Sequence, residues 1–177
     1  MPDKTATALS KIAVCAFLTV LAAVTGVLEG LLSFLLPLPG AKLGLANIFL
    51  TAAFALYGAK YAFFVFLSRA LLVFLFGGNP LSLALSLAGG LLAYLSLFLT
   101  TPHVGKRLSY IGVSSFSAAC HAVGQVACAY FFIGEAVVGY LPLLGAVSVV
   151  TGTLTGFLMD LVIAPLRGYL QKRRLLS

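Results

Sequence analysis

An all-α integral membrane protein is the fold class that this sequence predicts, and three observations support it. The chain has 177 residues, of which 62% are hydrophobic and only 8% charged, with a mean hydropathy of +1.14. These values are typical of no water-soluble class. The apolar segments are continuous rather than alternating at every second residue, which favours helices over a barrel. Since a transmembrane helix needs about 20 apolar residues, the length allows about six helices in one transmembrane domain, residues 1–177.

Proline, glycine and charged residues divide the chain into six predicted spans. These are residues 9–33, 43–58, 61–77, 81–100, 109–133 and 140–166. A short N-terminal segment, 1–8, precedes the first span, and a basic tail, 167–177, follows the last. Lys4 and Lys11 precede the first span as they would in a signal peptide. The span is too long for that role and five more follow, so we expect a retained helix.

Basic residues predict the orientation of the bundle. An N-terminus in the cytoplasm places nearly all of them on the cytoplasmic face and leaves only Lys42 outside, as the positive-inside rule requires. Both termini are therefore predicted to be cytoplasmic. The net charge of +7 follows from this rule and from attraction to anionic lipid headgroups. The bilayer is accordingly an expected partner, and nucleic acid is not.

Several classes of enzyme chemistry are not favoured by this sequence. It contains no GxxxxGK[ST] phosphate-binding loop, which argues against ATP hydrolysis by that common route. Its only carboxylates are Asp3, Glu29, Glu135 and Asp160, and no two of them lie close in sequence. Diphosphate chemistry with Mg²⁺ needs clustered acidic ligands. The sequence thus predicts no enzyme activity, no metal site and no cofactor.

Arg69 is the most unusual residue of the third predicted span. A charge at that depth costs about 3 kcal/mol or more on insertion scales, so the side chain should face the bundle interior and find an acidic partner. Glu29 in span one and Asp160 in span six are the two candidates. Either a structural ion pair or contact with a substrate would explain the arginine.

Span five carries a polar stripe. On a helical wheel its polar and small residues fall within an arc of about 100°; they are Ser114, Ser117, His121, Gly124, Gln125 and Cys128. Polar side chains of this kind either hydrogen-bond neighbouring helices or line a pocket. His121 and Gln125, one turn apart and backed by small residues, favour a pocket wall.

Small residues recur at intervals of four in spans one and six. Ala22, Gly26 and Gly30 form one stripe, and Gly152 and Gly156 form the other. Such spacing lets helix backbones approach closely. The sequence leaves open whether these stripes pack within the bundle or against a partner subunit.

The stretch PGAKLGLANIFLTAAFALYGAKYAFFVFLSR resembles the second helix of substrate-binding S components of energy-coupling factor (ECF) transporters. FGGNPLSLALSLAGGLLAYLS, IGVSSFSAACHAVGQVACAYFF and YLPLLGAVSVVTGTLTG extend the resemblance to the family labelled heptaprenyl diphosphate synthase component I, or Gx transporter. The resemblance covers residues 10–166. It implies a six-helix protein of the prokaryotic cytoplasmic membrane. Such a protein captures a small nutrient outside and docks on a transmembrane scaffold carrying two ABC ATPases.

The same resemblance implies that the loop at 34–47 closes over a pocket. Pro37, Pro39 and Gly40 would shape this lid, and Lys42 and Asn47 would face the ligand. Lys42 could instead be an interfacial anchor that reaches the headgroups. Asn79, just before span four, completes the predicted substrate-binding residues, together with Arg69, His121 and Gln125.

Two functions follow from these features. The first is an S component that binds a partly apolar compound with an anionic or carbonyl group, such as a vitamin, a flavin or quinone precursor, or a short isoprenoid. The second is a noncatalytic membrane subunit of a soluble polyprenyl diphosphate synthase. One departure from the S-component pattern is that its alanine-x-x-x-alanine docking motif occurs here only as Ala22 and Gly26.

Overall fold

The computed structural model describes residues 4–32, 44–76, 79–105 and 107–172, and these form six α-helices. The helices are α1 Lys4–Leu32, α2 Asn47–Tyr57, α3 Ala59–Leu75, α4 Pro80–Thr100, α5 Tyr110–Ile133 and α6 Leu141–Lys172. Two short 3₁₀ helices, Thr101–His103 and Glu135–Tyr140, follow α4 and α5. The predicted all-helical fold of six helices is confirmed for the described residues.

Four stretches of the described chain are long and apolar enough to cross a membrane. They are Ala8–Leu31, Pro80–His103, Tyr110–Ile133 and Glu135–Ile163. The other two helices are shorter: α3 has 17 residues and α2 only 11. An 11-residue helix is about 16 Å long, roughly half of the ~30 Å hydrocarbon core. The prediction of six helices is therefore right, but only four of the six meet the length of a full crossing.

Several helix ends differ from the predicted boundaries. The second span was expected from residue 43, but α2 begins at Asn47 because Gly44, with φ of 85°, lies in a turn before it. At the outer ends of the chain, α1 begins at Lys4 and α6 continues to Lys172. Helix α1 thus begins before the predicted residue 9, and α6 ends after the predicted residue 166.

Local chemistry explains the boundaries within the bundle. Asn79 caps α4, because its Oδ1 accepts a hydrogen bond from the Ser82 amide at 2.7 Å. Ser109 caps α5 in the same way, with Gly112 as donor. Gly58 separates α2 from α3 at φ of 84°, a conformation that favours glycine.

Helices α4, α5 and α6 pack closely through glycines. A Cβ added at Gly124 of α5 would lie 2.7 Å from the carbonyl oxygen of Ala88 in α4. A Cβ added at Gly152 of α6 would lie 2.7 Å from the Cα of Ser115 in α5. Gly156 packs on the α5 backbone one turn further along. The Gly152 and Gly156 stripe is thus a packing surface within the chain.

Helix α1 lies at the edge of the bundle and contacts α2 and α3. Ala22 is fully buried, and Gly26 faces Val73 of α3, whose Cγ2 would lie 2.9 Å from an added Cβ. Gly30 is exposed, with open space at its Cβ position. Two members of this stripe, Ala22 and Gly26, therefore pack inside the chain.

The short helix α2 occupies the centre of the bundle. It contacts each of the other five helices. Its buried residues follow one another almost without interruption; they are Asn47, Leu50, Thr51, Ala52, Ala53, Phe54, Ala55 and Leu56. Because Asn47 in the first turn is buried, α2 begins inside the bundle rather than at its surface.

Apart from the buried Arg69, the basic side chains that the structure describes lie at one end of the bundle. Lys60 lines a cavity with Ile12 of α1, and Arg107 lines another with Asp160 of α6. The start of α3 thus lies beside the first half of α1, and the start of α5 beside the second half of α6. This grouping is what the positive-inside rule requires of one face, and the assignment of that face to the cytoplasm stays a prediction.

Candidate functional site

Arg69 of α3 is buried in the bundle, with only 4% of its surface exposed. Its Nη2 donates a hydrogen bond to the hydroxyl of Ser86 on α4 at 3.4 Å. A single hydroxyl does not offset the cost of a buried guanidinium, which needs a nearby negative charge.

Glu29 of α1 supplies that charge. It is 3% exposed, and its carboxylate interacts electrostatically with Arg69. Its Oε1 also accepts a hydrogen bond from the amide of Leu45, two residues before α2. Asp160, the other candidate from the sequence, lies at the basic end in a cavity with Arg107. Of the two acidic residues, the structure places Glu29 with Arg69.

Asn47 lies in the first turn of α2, two residues after the amide that binds Glu29. Its side chain is 3% exposed, and neither its carbonyl oxygen nor its amide nitrogen has a hydrogen-bond partner among the described residues. A buried carboxamide without partners costs about 1–3 kcal/mol. An interior amide of this kind is suited to binding a ligand with donor and acceptor groups.

Gln125 of α5 has the same property in a more buried position. It is fully buried, and neither polar atom of its carboxamide has a hydrogen-bond partner among the described residues. His121, one turn earlier, is also buried. Both pack on Gly89 of α4, where an added Cβ would lie 2.9 Å from Gln125 Cγ and 2.8 Å from the His121 carbonyl oxygen. Because Gly89 has no side chain, it leaves space for the Gln125 side chain and the His121 backbone.

The rest of the α5 stripe holds helices together. The hydroxyl of Ser114 shares a hydrogen bond of 2.8 Å with Thr155 of α6. Ser117 donates to the carbonyl oxygen of Ala93 on α4 at 3.2 Å. Gly124 contacts α4, and Cys128 packs against an apolar cluster between the helices. The stripe thus divides into residues that join helices and the pair His121 and Gln125.

Helix α4 forms the common wall of these contacts. Ser86 and Gly89 are three residues apart, about 4.5 Å along the axis, and lie on the same buried face. The first contacts Arg69 and the second contacts Gln125. We call Glu29, Asn47, Arg69, Ser86, His121 and Gln125 the interior polar residues; all of them except Ser86 stand out in the sequence.

Ser86 and Gly89 were not anticipated, although the sequence carries a signal for them. Small residues recur on one face of α4 at helical spacing, as Ser82, Ser86, Gly89, Gly90 and Ala93. Such a face usually packs closely on a neighbouring helix. Recognising it as the partner of the α5 stripe requires the helix arrangement.

Asn79, a predicted substrate-binding residue, is not part of this group, because it is exposed and its side chain caps α4. Lys42 lies outside the described residues, as do Pro37, Pro39 and Gly40 of the predicted lid.

The carboxylates that the structure describes lie in three separate places. Glu29 is among the interior polar residues, Glu135 begins the 3₁₀ helix after α5, and Asp160 lies beside Arg107. Within the described ranges, no three His, Cys, Asp or Glu side chains are grouped as metal ligands would be.

The fold and these buried polar residues define a multi-pass helical membrane protein. The family model of heptaprenyl diphosphate synthase component I matches residues 18–162. The chain therefore belongs to the heptaprenyl diphosphate synthase component I family, and the resemblance to that family is confirmed. No curated protein and no solved structure matched the chain.

Proposed function

We propose that this protein is the substrate-binding membrane subunit of an ECF-type importer in the cytoplasmic membrane of a prokaryote. It captures a small, partly apolar molecule from outside. The observation that carries the proposal is the carboxamide of Gln125, which is fully buried within a membrane-spanning helix and lacks a hydrogen-bond partner among the described residues. A ligand carbonyl, amide or carboxylate would satisfy it.

Two further features support a ligand site rather than helix packing alone. Asn47 carries a second buried carboxamide of the same kind, on a helix that begins inside the bundle. Arg69 and Glu29 place two opposite charges in the interior. Polar and ionisable groups at this depth are expensive and usually mark a substrate or ion pathway.

The energy for transport has to come from partner subunits in this proposal, because the chain has no phosphate-binding loop. A transmembrane scaffold and two ABC ATPases would supply it. Docking through the pair Ala22 and Gly26 is not supported, since Gly26 packs on Val73 of the same chain. Another surface must therefore contact the scaffold.

The family description favours a second candidate function. A noncatalytic membrane subunit would recruit a soluble polyprenyl diphosphate synthase and present it to the membrane. The separation of the described carboxylates fits this assignment of roles, because the Mg²⁺ ligands would then come from the partner.

Purification of the tagged chain from its native membrane, followed by mass spectrometry of its partners, separates the two candidates. The importer proposal expects a membrane scaffold and two ABC ATPases at near-equal abundance. A soluble polyprenyl diphosphate synthase in their place would support the second candidate. Transport should also require ATP and those partners, so uptake by the chain alone in proteoliposomes would contradict the importer proposal.

A further inference from the structure

Helices α1 and α3 enclose a groove on the outside of the bundle, and two cavities lie along it. The cavity nearer the basic end, which we call the lower cavity, has a volume of about 430 Å³. It is lined by Ile12, Ala16 and Thr19 of α1 and by Lys60, Phe64 and Ser68 of α3. The upper cavity, about 600 Å³, is lined by Val20, Val24 and Leu28 of α1, by Leu72 of α3 and by Phe76 directly after α3. We call the two together the α1–α3 groove.

The lining residues show that the groove is continuous. On the α3 side, lining residues recur at intervals of four, at positions 60, 64, 68, 72 and 76, and Tyr61 and Val65 lie on the same face. Those from α1 follow one helical face in the same way, and Thr19 of the lower cavity is adjacent to Val20 of the upper one. From Lys60 to Phe76 the groove runs about 24 Å along the helix axis.

The two ends of the groove differ in chemistry. Its upper part is lined only by aliphatic and aromatic side chains. Its lower end contains the ammonium group of Lys60 and the hydroxyl groups of Thr19 and Ser68. Among the described residues, no acidic side chain lines this end. The other basic cavity differs, since an acidic residue, Asp160, lines it together with Arg107.

We propose that the α1–α3 groove binds one acyl chain of an anionic phospholipid, with the phosphate next to Lys60. The uncompensated charge at the lower end selects an anionic headgroup, and the apolar upper part accommodates the chain. Since one leaflet contributes about 15 Å of the ~30 Å hydrocarbon core, a chain that fills the groove is more extended than its neighbours. This site is separate from the interior polar residues and does not depend on the transported ligand.

Because the chain contains no tryptophan, a single introduced tryptophan reports lipid contact at one position. Phe64→Trp places the reporter in the groove. Phe98→Trp is the matched control, on α4 near the same end of the bundle, with 54% exposure against 56% for Phe64. Each variant is reconstituted in vesicles that contain brominated phosphatidylglycerol or brominated phosphatidylcholine with the same acyl chains.

We expect the tryptophan at 64 to be quenched by phosphatidylglycerol with a roughly five-fold preference over phosphatidylcholine, which corresponds to about 1 kcal/mol for one basic residue. The tryptophan at 98 should show no such preference, and Lys60→Gln should remove it at 64. Equal quenching of the tryptophan at 64 by the two lipids would overturn the proposal. Equal quenching is also expected if a helix of another protein, and not a lipid, fills the groove. An equal preference at both positions, or one that survives Lys60→Gln, would overturn it as well, because surface charge in general would then explain it.

Discussion

Gln125 combines full burial with a carboxamide that has no hydrogen-bond partner among the described residues. Within a well-packed bundle, such a residue reduces the free energy of unfolding. A role in binding a ligand would explain why it is there. Ser117, two turns earlier on the same helix, is the opposite case, since its hydroxyl donates to the backbone of α4. The two residues therefore separate a binding role from a packing role on one helix.

Gln125→Leu should raise the thermal stability of the detergent-solubilised protein, by about 1 kcal/mol in the free energy of unfolding, because it removes buried polar atoms without partners. Ser117→Ala should lower stability by about 0.6 kcal/mol, the mean for hydrogen bonds between membrane helices. Melting temperatures of the two variants and the wild type test both values. A clear loss of stability in Gln125→Leu would mean that its amide has a structural partner.

Arg69 and Glu29 make a second prediction at the level of single residues. Removing either charge leaves the other buried, which costs about 3–5 kcal/mol. Arg69→Met and Glu29→Gln should therefore each reduce the yield of folded protein strongly, while the double variant should recover much of it. Asp160→Asn is the control, because Asp160 lines the cavity at the basic end and not the interior near Arg69. Equal damage in the single and double variants would argue against their coupling.

The sequence could not choose between Glu29 and Asp160 as the partner of Arg69. Both lie in apolar spans, and helical periodicity gives the face of a residue but not the neighbouring helix. The stripe of α5 was predicted from its wheel, and the structure places its two largest polar members on Gly89. Ser86 was missed because a serine in an apolar helix resembles ordinary packing.

Helix α2 could be predicted from the sequence only in part. The sequence indicated an apolar helix there, and its break from α3 at Gly58 was expected. The short length of α2 and the burial of most of its residues were not. Hydrophobicity cannot separate a helix that faces lipid from one surrounded by protein, because both environments are apolar.

The glycine stripes give a prediction at the same scale. Gly152→Ala should destabilise the protein by about 1–3 kcal/mol, since its Cβ would meet the backbone of α5 and force α6 away. Gly30→Ala is the matched control: its Cβ position is open and alanine favours a helix, so stability should stay the same or rise. Thermal unfolding of both variants measures the difference. Equal effects would argue against close packing of α6 on α5.

The bundle as a whole has one basic end, and its orientation is testable by thiol labelling. The native cysteines, Cys15, Cys120 and Cys128, are first replaced. Exposed positions without positive φ are suitable: Ala136 near the opposite end and His103 near the basic end. An impermeant reagent should label Ala136→Cys in intact cells and His103→Cys only after lysis, because basic loops stay inside. The reverse pattern would place the basic end outside.

The central claim is that the interior polar residues bind a small molecule, and its most direct test is mass spectrometry of the molecules that copurify with the protein. Wild type, Gln125→Leu and Ser117→Ala are purified identically, and the bound molecule is quantified per folded chain. We predict one small molecule at near-stoichiometric occupancy in wild type and in Ser117→Ala, and an affinity lower by roughly 10-fold in Gln125→Leu, because its hydrogen-bond partner is lost. The same occupancy and affinity in Gln125→Leu as in wild type, or no bound molecule in any of the three proteins, would contradict the claim.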